Sequence, residues 1–123
     1  MEDKFESAAL LMPTVALRGL VVFPGMQVHF DVGREKSMAA LKAALDGDRR
    51  IFLTAQKDIM TDDPDFNDLY KLGVVATVSH VAKLPVDGEM IVRVSVKGMY
   101  RARLNGIVST EPHLVGAIRA CAI

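Results

Sequence analysis

Residues 13–30, PTVALRGLVVFPGMQVHF, set the pattern for the rest of the chain. Two apolar runs, Thr14–Leu17 and Leu20–Phe23, are followed by a third at Met26–Phe30. Valine, leucine and phenylalanine are typical of strands because they fit a pleated, half-buried surface. Proline fixes φ and glycine accepts positive φ, so Pro24-Gly25 is typical of a tight turn between strands. The pattern predicts an N-terminal β-meander that reaches about Val32 and contains no helix.

The composition is typical of a single globular domain. The chain has 123 residues, half of them hydrophobic, and its 15 basic residues balance 15 acidic ones. A net charge of zero argues against bulk electrostatic attraction to nucleic acid or to an anionic membrane. Cys121 is the only cysteine, so we expect neither an internal disulfide nor a cysteine metal site. The acidic N-terminus and the absence of a long apolar run argue against a signal peptide and a membrane span, which predicts a cytoplasmic protein.

One amphipathic helix is expected at residues 34–46. Met38, Leu41 and Leu45 recur at the spacing of one helical stripe, and the alanines between them favour helix. We expect this stripe to pack into the core and Gly47 to end the helix. A short strand is predicted from residue 50 to 56, an acidic surface loop from 57 to 68, and a helical turn at 68–70.

The second half of the chain has the pattern of long antiparallel strands. Residues 74–84 and 89–97 are rich in β-branched side chains, and the turn at 85–88 predicts a hairpin between them. Alternating apolar residues from Met90 to Val96 indicate a half-buried strand. Gly98 permits a bend or bulge, and Asn105-Gly106 is typical of either a turn or a bulge. A last strand is predicted to run to the final residue, which suggests a piece of a longer protein.

The first segment, P-x-x-x-L-R-G-L-V-V-F-P-G, resembles the opening of the N-terminal domain of Lon, the ATP-dependent protease. Further blocks that resemble this family follow in the family's order at 32–37, 55–58, 84–88, 94–98 and 101–103. The resemblance implies a mainly β (α+β) fold, a PUA-like pseudo-barrel of about six strands with one main α-helix. Residues 1–12 are predicted to be a flexible lead, and the resemblance implies a lobe at 13–123, which a helical subdomain, an ATPase and a protease domain would follow.

The resemblance further implies a substrate-recognition and assembly role rather than catalysis. In Lon the Ser–Lys dyad and the sites for ATP and magnesium lie in the later domains, and the subunits form a homo-oligomer, a hexamer. We therefore expect no catalytic residue, cofactor or metal here, and partners that are unfolded or degron-bearing polypeptides. The family degrades misfolded and short-lived regulatory proteins.

The residues themselves also argue against catalysis. The segment 33–37, GREKS, resembles the end of a phosphate loop, but Glu35 stands where the loop needs glycine and would repel phosphate. The three histidines share no ligand spacing, and no serine has an identifiable base. The acidic loop lacks the central glycine and terminal glutamate of an EF-hand.

Two surfaces remain as candidates. An apolar polypeptide-binding site is predicted at Phe23, Pro24, Met26 and Met99, because methionine is flexible and polarizable and adapts to many sequences. The alternative is a basic face of the late strands, with Lys83 as a further candidate member, on a stand-alone module that binds RNA or a small ligand. Its predicted members are Arg93, Lys97, Arg101 and Arg103. One nearby aromatic, Tyr100, falls on the opposite parity, which makes RNA binding through this lobe the less favoured prediction.

Overall fold

The computed structural model describes residues 10–121. Within them it has six strands, one α-helix and a short 3₁₀ helix, which confirms the predicted mainly β fold. The bounds are β1 Leu10–Leu17, β2 Gln27–Val32, α1 Glu35–Asp46, β3 Arg50–Ala55, the 3₁₀ helix Phe66–Asp68, β4 Leu72–Val86, β5 Glu89–Ser109 and β6 Leu114–Ala120.

The strands form a sheet in the order β2-β5-β4-β3-β1-β6 that closes because β6 also pairs with β5. Closure depends on the length of β5, whose 21 residues pair with β2 in their first half and with β6 in their second. β1 lies parallel to β3 and antiparallel to β6, and none of the pairings joins β1 to β2 within the described residues. The predicted N-terminal meander is therefore wrong, because distant strands cover both edges of β1.

The start of the chain differs from the prediction in two places. β1 begins at Leu10 and Met12 is only 4% exposed, so residues 10–12 belong to the sheet rather than to a flexible lead. The rest of the predicted lead, residues 1–9, and the last two residues of the predicted final strand lie outside the described part of the chain. The apolar run Leu20–Phe23 is not a strand but an irregular segment, in which Val22 is buried in the core.

Helix α1 lies close to the predicted bounds, but its buried face is rotated. The buried residues are Ser37, Ala40, Leu41 and Ala44, whereas Met38 is 36% exposed. Leu45 is half-buried and packs at the margin of the core. The predicted stripe is thus correct at Leu41 and wrong at Met38, because the small alanine side chains let the helix approach the sheet on their own side.

The core has two parts, one on each side of the sheet. Because side chains alternate along a strand, Ile51 and Leu53 of β3 face the part under α1, while Phe52 between them faces the other. The second part also holds Leu69, Leu104 and Ile118, all nearly inaccessible to solvent. β3 is buried on both faces, which explains its unbroken apolar sequence.

The β4–β5 hairpin follows the prediction closely. It turns at Asp87 and Gly88, whose φ angles of 51° and 82° are typical of a type I′ turn that matches strand twist. Met99 and Asn105 are left out of the ladder as bulges, so the predicted irregularity at Gly98 is confirmed and Asn105-Gly106 is a bulge rather than a turn. Strand β3 ends one residue earlier than predicted, and the helical turn lies at 66–68 rather than 68–70.

Candidate functional site

The turn at Phe23–Met26 is held against the middle of β5. The Gly25 N–H donates to the Gly98 carbonyl at 2.8 Å, and the Gly98 N–H donates to the Met26 carbonyl at 2.9 Å. Within the turn, the Met26 N–H donates to the Phe23 carbonyl at 3.1 Å and the Phe23 N–H approaches the Met26 sulfur at 3.3 Å. A Cβ at position 98 would lie 2.4 Å from the Phe23 oxygen. Only glycine at position 98 allows the turn to lie this close.

This docking presents apolar side chains to solvent. Phe23 is 49% exposed, Met26 38% and Met99 51%, and Pro24 is also exposed. We call these four residues the turn surface. The turn that carries Phe23, Pro24 and Met26 docks on Gly98, and the bulge residue Met99 follows Gly98 in the chain, so all four residues lie around the point where the turn meets β5.

A groove of about 480 Å³ opens beside the turn surface. One wall is the irregular segment with Leu20, Val21 and Phe23, and the other is formed by Tyr70, just before β4, and Leu72, at its start. Val21, Tyr70 and Leu72 are each about half exposed. These three residues carry no signal in the sequence, because only the fold places residues 70–72 opposite residues 20–23.

The groove carries positive charge from β5. Arg101 pairs across the ladder with Val74 and Arg103 with Leu72, so both arginines lie on the face that lines the groove. The Arg101 guanidinium carbon is 5.8 Å from the centroid of the Phe23 ring, which is within cation–π range. Arg101 therefore joins the groove to the turn surface.

The third cation of the groove, Lys71, is already engaged. Its ammonium donates to the carbonyls of Phe66 and Leu69, the latter at 2.9 Å, and lies 3.9 Å from the centre of the Phe66 ring. Loss of hydration in this position lowers the pKa of Lys71. The arginines are left as the groove's available cations.

The alternative basic face is divided in the structure. Arg93 forms a two-pronged ion pair with Asp31, with N–O distances of 2.8 and 3.2 Å. The hydrogen bonds from Arg93 lower the pKa of Asp31, so this pair is neutral as a unit. Lys83 pairs with Val92 and so points to the other side of the hairpin from Arg93. Arg101 and Arg103 lie farther along β5, beyond the bulge at Met99.

Comparison with known proteins gives the family. Residues 12–122 match the family model described as the ATP-dependent protease La (LON) substrate-binding domain. The chain belongs to the Lon substrate-binding domain family. A Lon protease of Escherichia coli K12 is 43% identical over 107 residues, and one of Syntrophomonas wolfei is 42% identical over 103. These alignments cover 87% and 84% of this chain but only 13% and 12% of the relatives, so the chain spans about an eighth of their length.

Solved structures of Lon N-terminal domains have the same fold. The N-terminal domain of the Mycobacterium avium complex Lon protease matches with a TM-score of 0.72 at 18% identity, covering 93% of this chain and 56% of that one. A Lon N-terminal domain protein from Xanthomonas campestris matches with a TM-score of 0.66 at 14% identity, covering 92% and 60%. At these identities the likeness concerns the fold alone.

In this Lon substrate-binding domain, the segment that resembles a phosphate loop has another role. The Lys36 ammonium pairs with Asp63 at 2.8 Å and Glu111 at 3.2 Å, which raises the pKa of Lys36. The Arg34 guanidinium donates to the Ala16 carbonyl at 2.7 Å, and burial lowers its pKa. The cavity of about 250 Å³ between these residues is also lined by three carboxylates, which disfavour a phosphate ligand.

Over residues 10–121, no three histidine, cysteine, aspartate or glutamate side chains are grouped closely enough to hold a metal ion. None of the helices described is long and apolar enough to cross a membrane.

Proposed function

We propose that this domain captures unfolded or degron-bearing polypeptides through the turn surface. The observation that carries the proposal is the set of exposed apolar side chains on a turn whose backbone is fixed to β5. A rigid backbone keeps the apolar groups in solvent, while the unbranched methionine side chains adapt to partners of varied shape. The match to a family of substrate-binding domains supports this role.

The longer protein that we propose is an ATP-dependent serine endopeptidase of the cytoplasm. Its later domains would supply ATP and magnesium binding and the Ser–Lys dyad, and it would degrade misfolded and short-lived regulatory proteins. The support is the name of the relatives, which are Lon proteases about eight times longer than the alignment. This domain would contribute substrate capture and contacts that assemble a homo-oligomer.

A single domain should bind weakly. A small apolar patch barely exceeds the entropy lost on association, so we expect a dissociation constant on the order of 10–1000 µM. Several domains in one oligomer would act on one long chain together, and the effective concentration of the second site would raise the overall affinity. Weak individual sites also release a substrate that has begun to move toward a proteolytic chamber.

The test is titration of a fluorescently labelled, permanently unfolded polypeptide that contains no charged side chains. Met26→Asp should weaken binding at least several-fold, because it places a carboxylate on the turn surface. Met60→Asp is the matched control, since Met60 is exposed on the acidic loop away from the turn. Binding of this neutral ligand should change little with salt, as short-range apolar contacts are insensitive to screening. Equal affinities for the two variants would refute the proposal.

A further inference from the structure

We infer that the groove selects extended polypeptide segments in which a carboxylate accompanies an aromatic or aliphatic side chain. The inference rests on the proposed function and adds a sequence preference to it. The turn surface would supply general affinity, and the groove would distinguish acidic apolar segments from neutral or basic ones.

The charge around the groove is unbalanced. The chain as a whole has equal numbers of basic and acidic residues. Among the described residues, however, the groove is lined by three cations and no carboxylate. Lys71 is engaged by backbone carbonyls, whereas Arg101 and Arg103 form no ion pair within residues 10–121. A ligand that carries a carboxylate could therefore form an ion pair with one of these two arginines.

The spacing of the two arginines fits an extended chain. Residues two apart in a strand point to the same side and lie about 6.7 Å apart. An extended ligand alongside β5 would present its alternate side chains at the same interval. Carboxylates at positions i and i+2 of the ligand would therefore meet both guanidinium groups, whose planar donors suit a carboxylate.

The walls of the groove define the rest of the preference. Leu20, Val21 and Leu72 offer aliphatic surface, and Tyr70 adds an exposed aromatic ring. A ligand residue at position i−2 or i+4, which points to the same side as the two carboxylates, would lie against these side chains. Because Arg101 lies over the Phe23 ring, a segment bound in the groove would also reach the turn surface.

The experiment compares short labelled peptides of one apolar sequence that carry glutamate, glutamine or lysine at positions i and i+2. The glutamate peptide should bind about 3- to 20-fold more tightly than the glutamine peptide at low salt, as expected for two exposed ion pairs. This advantage should shrink at high salt, and the lysine peptide should bind most weakly. A second set with free and amidated C-termini separates a terminal carboxylate from side-chain carboxylates as the recognised group.

The variant Arg101→Gln/Arg103→Gln should abolish the glutamate advantage, so that the glutamate and glutamine peptides bind with equal affinity. Lys42→Gln/Lys83→Gln is the control, because it removes the same charge from exposed positions that do not line the groove. Urea unfolding of both variants shows whether they fold, and the ranking of the three peptides on the unmodified chain tests the inference even if one does not.

Three outcomes are distinguishable. Equal binding of glutamate and glutamine peptides would overturn the inference, while sensitivity of both to Met26→Asp would leave the proposed function standing. Binding of none of the peptides would contradict the proposed function itself. A single-stranded RNA of the same length that binds more tightly than the glutamate peptide, and loses its affinity in the arginine variant, would overturn the inference in favour of the basic-face alternative.

Discussion

Replacement of Gly98 by alanine should detach the turn surface from β5. The new Cβ would lie 2.4 Å from the Phe23 oxygen and 3.3 Å from a methyl carbon of Val74. The first distance requires backbone to move, so the turn has to shift away. The shift would break the two backbone hydrogen bonds between Gly98 and the turn.

The magnitude follows from these contacts. Two backbone hydrogen bonds contribute about 1–3 kcal/mol together, and forcing an extra methyl group into a packed site costs a similar amount. Because the turn relieves part of the strain when it moves, we expect Gly98→Ala to lower the free energy of unfolding by about 2–4 kcal/mol. Gly106→Ala is the matched control on the same strand, since a Cβ there meets nothing within 4 Å. It should change the stability by less than about 0.5 kcal/mol.

Two measurements check this prediction. Urea unfolding monitored by circular dichroism gives the stability of each variant. Amide hydrogen exchange at Gly25, whose N–H donates to Gly98, reports whether the turn remains docked. Exchange at Gly25 should accelerate in Gly98→Ala and stay slow in Gly106→Ala. A stable Gly98→Ala protein with a protected Gly25 amide would refute the reasoning.

Two further predictions concern the helix and a surface ion pair. Leu41→Ala should cost about 2–5 kcal/mol in urea unfolding because Leu41 lies on the buried face of α1, whereas Met38→Ala should cost far less because Met38 is exposed. Equal losses would contradict the observed helix face. Asp31→Asn should remove a pH-dependent contribution to stability. Since Arg93 lowers the pKa of Asp31 in the folded state, their pairing stabilises the fold above the ordinary aspartate pKa of about 4 and is lost as the pH falls through the lowered value. The difference in free energy of unfolding between Asp31→Asn and the unmodified chain should therefore shrink as the pH falls. A difference that does not change with pH would argue against the ion pair.

Local sequence signals predicted the elements that local chemistry decides. Asp87-Gly88 specifies its turn because both residues tolerate positive φ. The alternation of Val92, Val94 and Val96 fixes which face of β5 is buried. These features depend on neighbours within a few residues, so they can be predicted from the sequence alone.

Features that depend on contacts between distant parts of the chain could not be predicted in the same way. The run Leu20–Phe23 has the composition of a strand, but in the structure it is irregular. It covers the core and leads into the turn that is hydrogen-bonded to Gly98. The exposed side chains of the turn surface were found from composition and from the turn signal. The groove could not be predicted because the register of β4 and β5 places Arg101 and Arg103 beside Val74 and Leu72, and Tyr70 is brought to the same place by its backbone hydrogen bond to Ala55.

The pairing of β1 with β6 has a consequence for synthesis of the chain. Leu10 lies opposite Ile118, so the first strand cannot complete its edge until almost the whole domain has been made. At about 5–20 residues per second, a ribosome needs on the order of 5–20 s to cover that interval. During this delay an apolar strand has a free edge, which is a template for aggregation. While nascent, the domain is thus the kind of chain that a chaperone would hold, and its closure by such distant residues should make it a slow folder.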